Sequence, residues 1–168
     1  MNIVLTGFMG TGKSVVGRAL AARLEWSFVE TDEEIETREG RTIPEIFEQE
    51  GEPYFRRVER EVIESLQGSR KKVIATGGGA FVDPSNREKL RSLGKVVCLS
   101  ASEEVLLERL GRSQHRPLMQ VEPGERLGRL RGLLESRAHA YAQADWQVDT
   151  TAHTVDQVVD QILKQVRE

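Results

Sequence analysis

A glycine-rich turn near the start of the chain has the residues of a phosphate-binding loop. Residues 7–14 read GFMGTGKS and match the pattern G-x-x-x-x-G-K-[ST] without a gap. Glycines let a backbone wrap closely around an anion, and the helix that follows adds the positive end of its dipole. Lys13 can reach terminal phosphates, and the Ser14 hydroxyl can ligate Mg²⁺. Because this phosphate loop follows an apolar stretch and opens a helical one, the sequence predicts a nucleoside triphosphate site.

Two carboxylates follow the second apolar stretch. Glu30 and Asp32 stand at the predicted end of a strand, and open α/β sheets bind ligands at that edge. Residues two apart on a strand share a face unless the chain bends, and a bend after the strand would let one carboxylate face a metal and the other a second substrate. The alternative is a solvated acidic helix start, in which Asp32 caps the segment EEIETR. The spacing leaves both interpretations open.

Two arginines and three glycines could hold an anionic second substrate. Arg56 and Arg57 lie near the start of a predicted helix, where acidic side chains are favoured. An anion-binding role therefore competes with a salt-bridged surface position. Gly77, Gly78 and Gly79 directly follow an apolar stretch, and they suit close approach of the backbone to a ligand.

A parallel sheet is needed to bring these residues together. Short runs rich in Val, Ile and Leu alternate with longer segments of helical period, which predicts a three-layer α/β domain. The predicted strands cover residues 2–6, 26–30, 72–77, 95–100 and 146–150. The predicted helices cover residues 13–24, 33–39, 43–50, 51–67, 84–92, 102–110, 124–143 and 154–167. Since no repeat or linker interrupts this pattern, we expect residues 1–168 to form one domain.

Composition narrows the classes of function. The chain has 168 residues, a formal net charge of −3 and one cysteine. This charge gives no reason to expect nucleic acid or an acidic membrane as a partner, and no apolar run is long enough to span a membrane. Cys98 lies in the run VVCLS and is predicted to be a core residue. The N-terminus lacks the pattern of a signal peptide, so we predict a cytoplasmic protein.

Six motifs in chain order resemble those of the shikimate kinase family. They are a phosphate loop, an acidic pair after the second strand, an F-R-x-x-E helix, a triple glycine, an R-P-L lid and a later R-x-x-x-Y. In this chain they read GFMGTGKS, Glu30-Thr31-Asp32, Phe55 to Glu59, residues 77–79, Arg116-Pro117-Leu118 and Arg137 to Tyr141. The phosphate loop is the only one that is specific alone, whereas six in order across nearly the whole chain are a strong match.

The resemblance implies an activity and a fold. The activity is ATP-dependent transfer of a phosphoryl group to the 3-hydroxyl of shikimate. The fold is that of the nucleoside monophosphate kinases, a P-loop kinase fold with a five-stranded parallel sheet in the order 2-3-1-4-5. A single domain would carry an acceptor-binding region at about residues 31–61 and a lid at about residues 111–124. The expected partners of this monomer are ATP, with one Mg²⁺ ion, and shikimate.

The resemblance also implies roles for individual residues. The implied catalytic residues are Lys13, Asp32 and Arg116. The implied ATP-binding residues are Gly10, Thr11, Gly12, Lys13, Ser14, Val15, Arg109, Arg116 and His153, with Arg112 as an alternative to Arg109 for stacking on adenine. The implied shikimate-binding residues are Asp32, Arg56, Gly77, Gly78, Gly79 and Arg137. Ser14 would ligate Mg²⁺, and Glu30 would contact the ion through water.

Glu30 departs from the family, which normally has Asp at this position. Because Mg²⁺ tends to keep several of its waters, a water between the ion and the carboxylate can accommodate the extra methylene of Glu30. We therefore expect activity to be retained with an altered metal affinity.

Two other functions stay open on the sequence. A small-metabolite kinase of the gluconate type would not need the pair Arg56 and Arg137. A nucleotide-binding protein without catalysis is favoured by Glu30 and disfavoured by the intact Lys13, Asp32 and Arg116.

Overall fold

Five parallel strands form one sheet in the order β2-β3-β1-β4-β5. The structure is a computed structural model that describes residues 1–111 and 121–168. The strands are β1 (Asn2–Gly7), β2 (Ser27–Glu30), β3 (Lys72–Ala75), β4 (Gly94–Ser100) and β5 (Trp146–Asp149). The predicted sheet and its strand order are therefore confirmed.

Eight α-helices lie within the described residues and flank this sheet. They are α1 (Lys13–Leu24), α2 (Thr31–Glu39), α3 (Ile43–Glu50), α4 (Glu52–Ser65), α5 (Pro84–Leu93), α6 (Glu103–Gly111), α7 (Arg126–Tyr141) and α8 (Val155–Arg167). Short 3₁₀ turns occur at Ala80–Val82 and Pro123–Glu125. None of the helices in residues 1–111 and 121–168 has the length and apolar character needed to cross a membrane.

The core lies on both faces of the sheet. Alternate side chains of a strand point to opposite faces, and in β1 Val4 packs on one face whereas Ile3 and Leu5 pack on the other. The first face is covered by buried side chains of α4 to α7 and includes Cys98, as predicted. The second is covered by α1 and α8. This arrangement makes the three predicted layers.

Local signals fix several helix starts. Asp83 accepts hydrogen bonds from the backbone N–H groups of Ser85 and Asn86, and Pro84 occupies the first turn of α5. Thr42 and Thr154 form capping boxes at α3 and α8.

Two predicted boundaries near the sheet edge are wrong. β3 ends at Ala75 and not at residue 77, because its pairing with β1 and β2 ends there. Helix α2 begins at Thr31, directly after β2, so that Asp32 lies in the first turn of a helix and not at a strand end. The residue at the cap position of α2 is Glu30, without a side-chain capping bond, so the interpretation of Asp32 as the cap is also wrong.

Replacing Gly17 by alanine should destabilise the fold. A Cβ atom at Gly17 would lie 2.5 Å from a ring carbon of Phe28 and 3.4 Å from Leu5 Cδ1. Such overpacking costs about 1–3 kcal/mol of the free energy of unfolding, measurable by urea denaturation. Gly132→Ala is the matched control, since nothing lies within 4 Å of its Cβ position in α7. The control should gain up to about 1 kcal/mol from helix propensity, and equal effects of the two substitutions would contradict this packing.

Candidate active site

The phosphate loop is held in shape by contacts that require glycine. Gly7 has φ +132°, and a Cβ atom there would lie 2.2 Å from the carbonyl oxygen of Leu99 in β4. Gly12 precedes α1 with φ +94°, and no side chain caps this helix. The first backbone N–H groups of α1 are therefore available to an anion at the positive end of the helix dipole.

Lys13 and Ser14 lie at the start of α1 with their polar atoms at the loop. Lys13 Nζ donates to the carbonyl oxygens of Gly7 at 2.8 Å and Phe8 at 2.9 Å. The Ser14 hydroxyl donates to Glu30 Oε1. Burial raises the pKa of Glu30, although the bond from Ser14 opposes the shift. A hydroxyl and a carboxylate oxygen side by side are ligands of the type that Mg²⁺ prefers.

A cavity beside α1 suits a purine base. It is lined by Thr11, Gly12, Val15, Val16, Arg109, Thr150, His153, Val155 and Val158. Arg109 Nη1 donates to the carbonyl oxygen of Gly10 at 2.8 Å, which ties α6 to the phosphate loop. Val15 is 60% exposed at this wall. Apolar surfaces with a guanidinium nearby can stack against an aromatic ring. Arg112, the alternative stacking residue, lies outside the described residues.

Residues 77–79, the glycine turn, each lie against a charged side chain. The turn follows β3, and the charged side chains come from α2, α7 and α4. A Cβ atom placed on Gly77 would lie 2.7 Å from Asp32 Oδ1. A Cβ atom on Gly78 would lie 3.2 Å from Arg137 Nη1, and one on Gly79 would lie 2.6 Å from Arg56 Nη2. Any side chain in the turn would therefore displace one of these groups.

Arg56 is oriented by a buried carboxylate. Its Nη1 donates to Glu59 Oε1 at 2.9 Å, and Glu52 Oε1 lies 3.4 Å from Nε. Glu59 is fully buried. Burial raises the pKa of Glu59 to about 7, and the charge of Asp32 acts in the same direction, whereas Arg56 and Arg137 oppose the shift.

Helix α7 places a second guanidinium beside the glycine turn. Arg137 is only 5% exposed, and its guanidinium lies 5.4 Å from the ring centroid of Phe8. Its Nη1 is buried and donates to no atom of residues 1–111 or 121–168. The Tyr141 hydroxyl donates to the carbonyl oxygen of Gly78. Since burial raises the pKa of Tyr141 to about 12, the phenol keeps its proton at neutral pH and can make this bond.

The phosphate loop and the glycine turn open into one cavity. Its lining residues are Met9, Gly10, Gly12, Lys13, Ser14, Val15, Glu30, Asp32, Thr76, Gly77, Gly78 and Arg109. A phosphate cradle and a carboxylate that can contact a hydroxyl group therefore lie in the same space. This is the arrangement that direct transfer of a phosphoryl group between two substrates requires.

The profile of one protein family, described as shikimate kinase, matches residues 9–167, which is nearly the whole chain. The chain belongs to the shikimate kinase family. A shikimate kinase of Geobacter sulfurreducens is 50% identical over 144 residues, which are 86% of this chain and 78% of that protein.

Solved structures agree with this membership. A shikimate kinase from Acinetobacter baumannii in complex with shikimate has a TM-score of 0.94 at 42% identity, covering 98% of this chain and 92% of that one. A gluconokinase from Sinorhizobium meliloti has a TM-score of 0.59 at 25% identity, covering 99% and 91%. The fold is thus retained at 25% sequence identity.

The shikimate kinase motifs fall into two groups in the structure. Asp32, Arg56 and Arg137 meet at the glycine turn, whereas Ser14 and Glu30 meet at the start of α1. Arg57, which the sequence left open beside Arg56, points outward and lies 3.8 Å from Glu61 on the surface. Arg116 and residues 112–120 of the predicted lid lie outside the described residues.

Three polar residues of the site had no role in the sequence interpretation. Glu59 and Tyr141 belong to two of the six family motifs, and their spacing from Arg56 and Arg137 was the available signal, since residues three or four apart share a helix face. Thr31 Oγ1 accepts a hydrogen bond from the backbone N–H of Gly77 at 3.2 Å. Thr31 stands between the two carboxylates of the acidic-pair motif, but that motif gives no sign of its hydrogen bond, because the partner lies 46 residues away.

Shortening Glu30 tests its proximity to the metal. Glu30→Asp moves the carboxylate away from Ser14 by one methylene, so we expect retained turnover with up to about a tenfold change in the Mg²⁺ concentration for half-maximal rate. Glu34→Asp is the control, since it makes the same one-methylene change at an exposed position of α2. An unchanged Mg²⁺ dependence in Glu30→Asp would show that Glu30 is not near the metal.

Proposed function

We propose that this chain transfers the γ-phosphoryl group of ATP to the 3-hydroxyl of shikimate, giving shikimate 3-phosphate and ADP. The observation that carries the proposal is the convergence of Asp32, Arg56 and Arg137 on the glycine turn, which opens into the same cavity as the phosphate loop. Two guanidiniums and a carboxylate beside a phosphate cradle fit an acceptor with both a carboxylate and hydroxyl groups.

The acceptor is bound and oriented by the charged side chains at the glycine turn. Arg56 and Arg137 pair with the shikimate carboxylate, and two planar guanidiniums on one carboxylate fix its orientation as well as its position. Asp32 contacts the hydroxyls and orients the one that attacks. The absence of side chains at Gly77, Gly78 and Gly79 lets the ring approach the backbone closely.

The donor is bound by the phosphate loop and the start of α1. Backbone N–H groups of residues 10–15 hold the phosphates, Lys13 reaches the β- and γ-phosphates, and Arg109 and His153 flank the adenine. Ser14 and Glu30 would hold Mg²⁺, which supplies neutralising charge to the phosphate oxygens when bound.

Charge stabilisation is the main catalytic demand of this reaction, because the transition state is loose and anionic. Lys13 meets this demand from the phosphate loop. By resemblance alone, Arg116 adds a second cation from the lid over the transferring group, and closure would exclude water. The cytoplasmic location, the monomeric state and the absence of nucleic-acid partners stay predictions.

A coupled assay of ADP release over a panel of acceptors tests the proposed function. We expect turnover with shikimate and far less with gluconate. Both carry a carboxylate for the arginine pair, but the flexible open chain of gluconate is not held with one hydroxyl at Asp32. No rate with shikimate would overturn the proposal. ATP binding without turnover on any acceptor would favour a protein that binds nucleotide without catalysis.

Removing Arg137 should weaken acceptor binding while sparing the donor. Since a hydrogen bond to a charged group contributes about 1.5–3 kcal/mol, Arg137→Ala should raise the Kd for shikimate about 10- to 150-fold with little change for ATP, as measured by calorimetry. The matched control is Arg131→Ala, which removes an exposed arginine of α7 that pairs with Glu103. Weaker ATP binding with normal shikimate binding would reverse the assignment.

A further inference from the structure

Glu59 is a buried carboxylate that the proposed transfer does not use. It is fully buried in α4, and its Oε1 accepts the bond from Arg56 Nη1 at 2.9 Å. Its Oε2 is also buried and has no hydrogen-bond donor within the part of the chain that the structure describes. A buried carboxylate oxygen without a donor destabilises the ionised form of the group.

A second carboxylate lies beside this oxygen. Glu59 Oε2 and Asp32 Oδ1 lie 3.2 Å and 2.7 Å from one common point, the Cβ position of Gly77. Two carboxylates at one site repel each other when both are ionised, which favours a proton on the more deeply buried one. Asp32 faces the shared cavity, whereas Glu59 lies behind it. Glu59 is thus the carboxylate at which a proton is more stable.

The strongest charges acting on Glu59 come from three elements. They are Arg56 on its own helix, Asp32 on α2 and Arg137 on α7. Glu52 of α4 also pairs with Arg56, at 3.4 Å, but its side chain is half exposed. Further charges of α4 and of the elements packed against it are paired elsewhere: Arg60 with Asp83, Lys89 with Glu64, Arg38 with Glu61 and Arg41 with Glu50. The 3₁₀ turn Ala80–Val82 carries no titratable side chain.

These charges balance only while no acceptor is bound. Among the buried groups two guanidiniums face two carboxylates, so their charges cancel when all four are ionised; Glu52, which also pairs with Arg56, is half exposed and is screened by solvent. An acceptor carboxylate between Arg56 and Arg137 adds a negative charge, and an uncompensated charge in a buried site is costly. A proton on Glu59 restores neutrality. It also converts Oε2 from an acceptor into a donor.

We propose that Glu59 takes up one proton from solvent when the acceptor binds, so that shikimate enters this site as a carboxylate accompanied by a proton. The inference rests on the proposed function, because it needs an acceptor carboxylate at Arg56 and Arg137. Glu59 then acts through Arg56 as a positioning residue. In its neutral form it still accepts the bond from Arg56 but competes less with the substrate for the guanidinium.

The pKa of Glu59 sets the pH range of this effect. It is raised by burial to about 7 without acceptor, and a bound carboxylate raises it further. Below this pKa Glu59 already carries the proton, so the Kd for shikimate should not change with pH. Above it, binding requires proton uptake, and the Kd should rise with pH, approaching about tenfold per pH unit.

Calorimetry in buffers of different ionisation enthalpy counts the proton directly. Shikimate is titrated into the protein at pH 8 in phosphate and in Tris, and the dependence of the observed heat on buffer enthalpy gives the number of protons taken up. We expect a value approaching one for the unmodified protein and near zero for Glu59→Gln. Glu64→Gln, an exposed position of the same helix that pairs with Lys89, should behave like the unmodified protein.

The outcomes separate this inference from the proposed function. Shikimate binding with heats independent of the buffer would overturn the inference and leave the function intact. Proton uptake that persists in Glu59→Gln would overturn it too, since another group would then carry the proton. If Glu59→Gln does not fold, the buffer series and pH dependence of the unmodified protein decide. Absence of both shikimate binding and turnover would overturn the proposed function, and the inference with it.

Discussion

The close approach of charged side chains to bare backbone is the constraint on which the rest of the structure depends. Asp32, Arg56 and Arg137 come from three helices that are distant in sequence, and each lies where a side chain of the glycine turn would otherwise be. Buried charges are stable only with partners at well-defined distances. The helices that carry these side chains must therefore be held in fixed positions relative to the turn, and the sheet supplies that frame.

The register between β1 and β3 sets the distance between donor and acceptor. Leu5 pairs with Ala75 at the last step of β3, and the backbone N–H of Thr76 donates to Leu5 at 3.0 Å. From this point β1 continues into the phosphate loop and β3 into the glycine turn. A Cβ atom on Gly78 would lie 3.3 Å from the backbone nitrogen of Met9, so the two segments nearly touch. Parallel pairing of neighbouring strands thus places both substrates at one edge.

The sequence predicted the parts of this site that are local in the chain. The phosphate loop followed from a local motif, and the alternation of strands and helices followed from apolar periodicity. The strand order and the residues at the glycine turn were implied only by the resemblance to the shikimate kinase family. The start of α2 directly after β2 was missed because the apolar run gives no sign of it, so Asp32 was expected at a strand end. The role of Glu59 was missed for another reason. Its spacing from Arg56 suggests a helix-face pair, whereas its complete burial depends on the packing of α4 against α2.

The donor part and the acceptor part of the site neutralise the negative charge of their substrates in different ways. ATP is expected to bring a divalent cation, and the oxygens of Ser14 and Glu30 lie where a cation can be shared with the protein. A carboxylate acceptor brings no cation, so its charge must be balanced by the protein itself. Arg56 is already paired with Glu59, and its charge is fully available to the substrate only when that carboxylate is neutral. A buried acid beside the acceptor therefore complements the metal beside the donor.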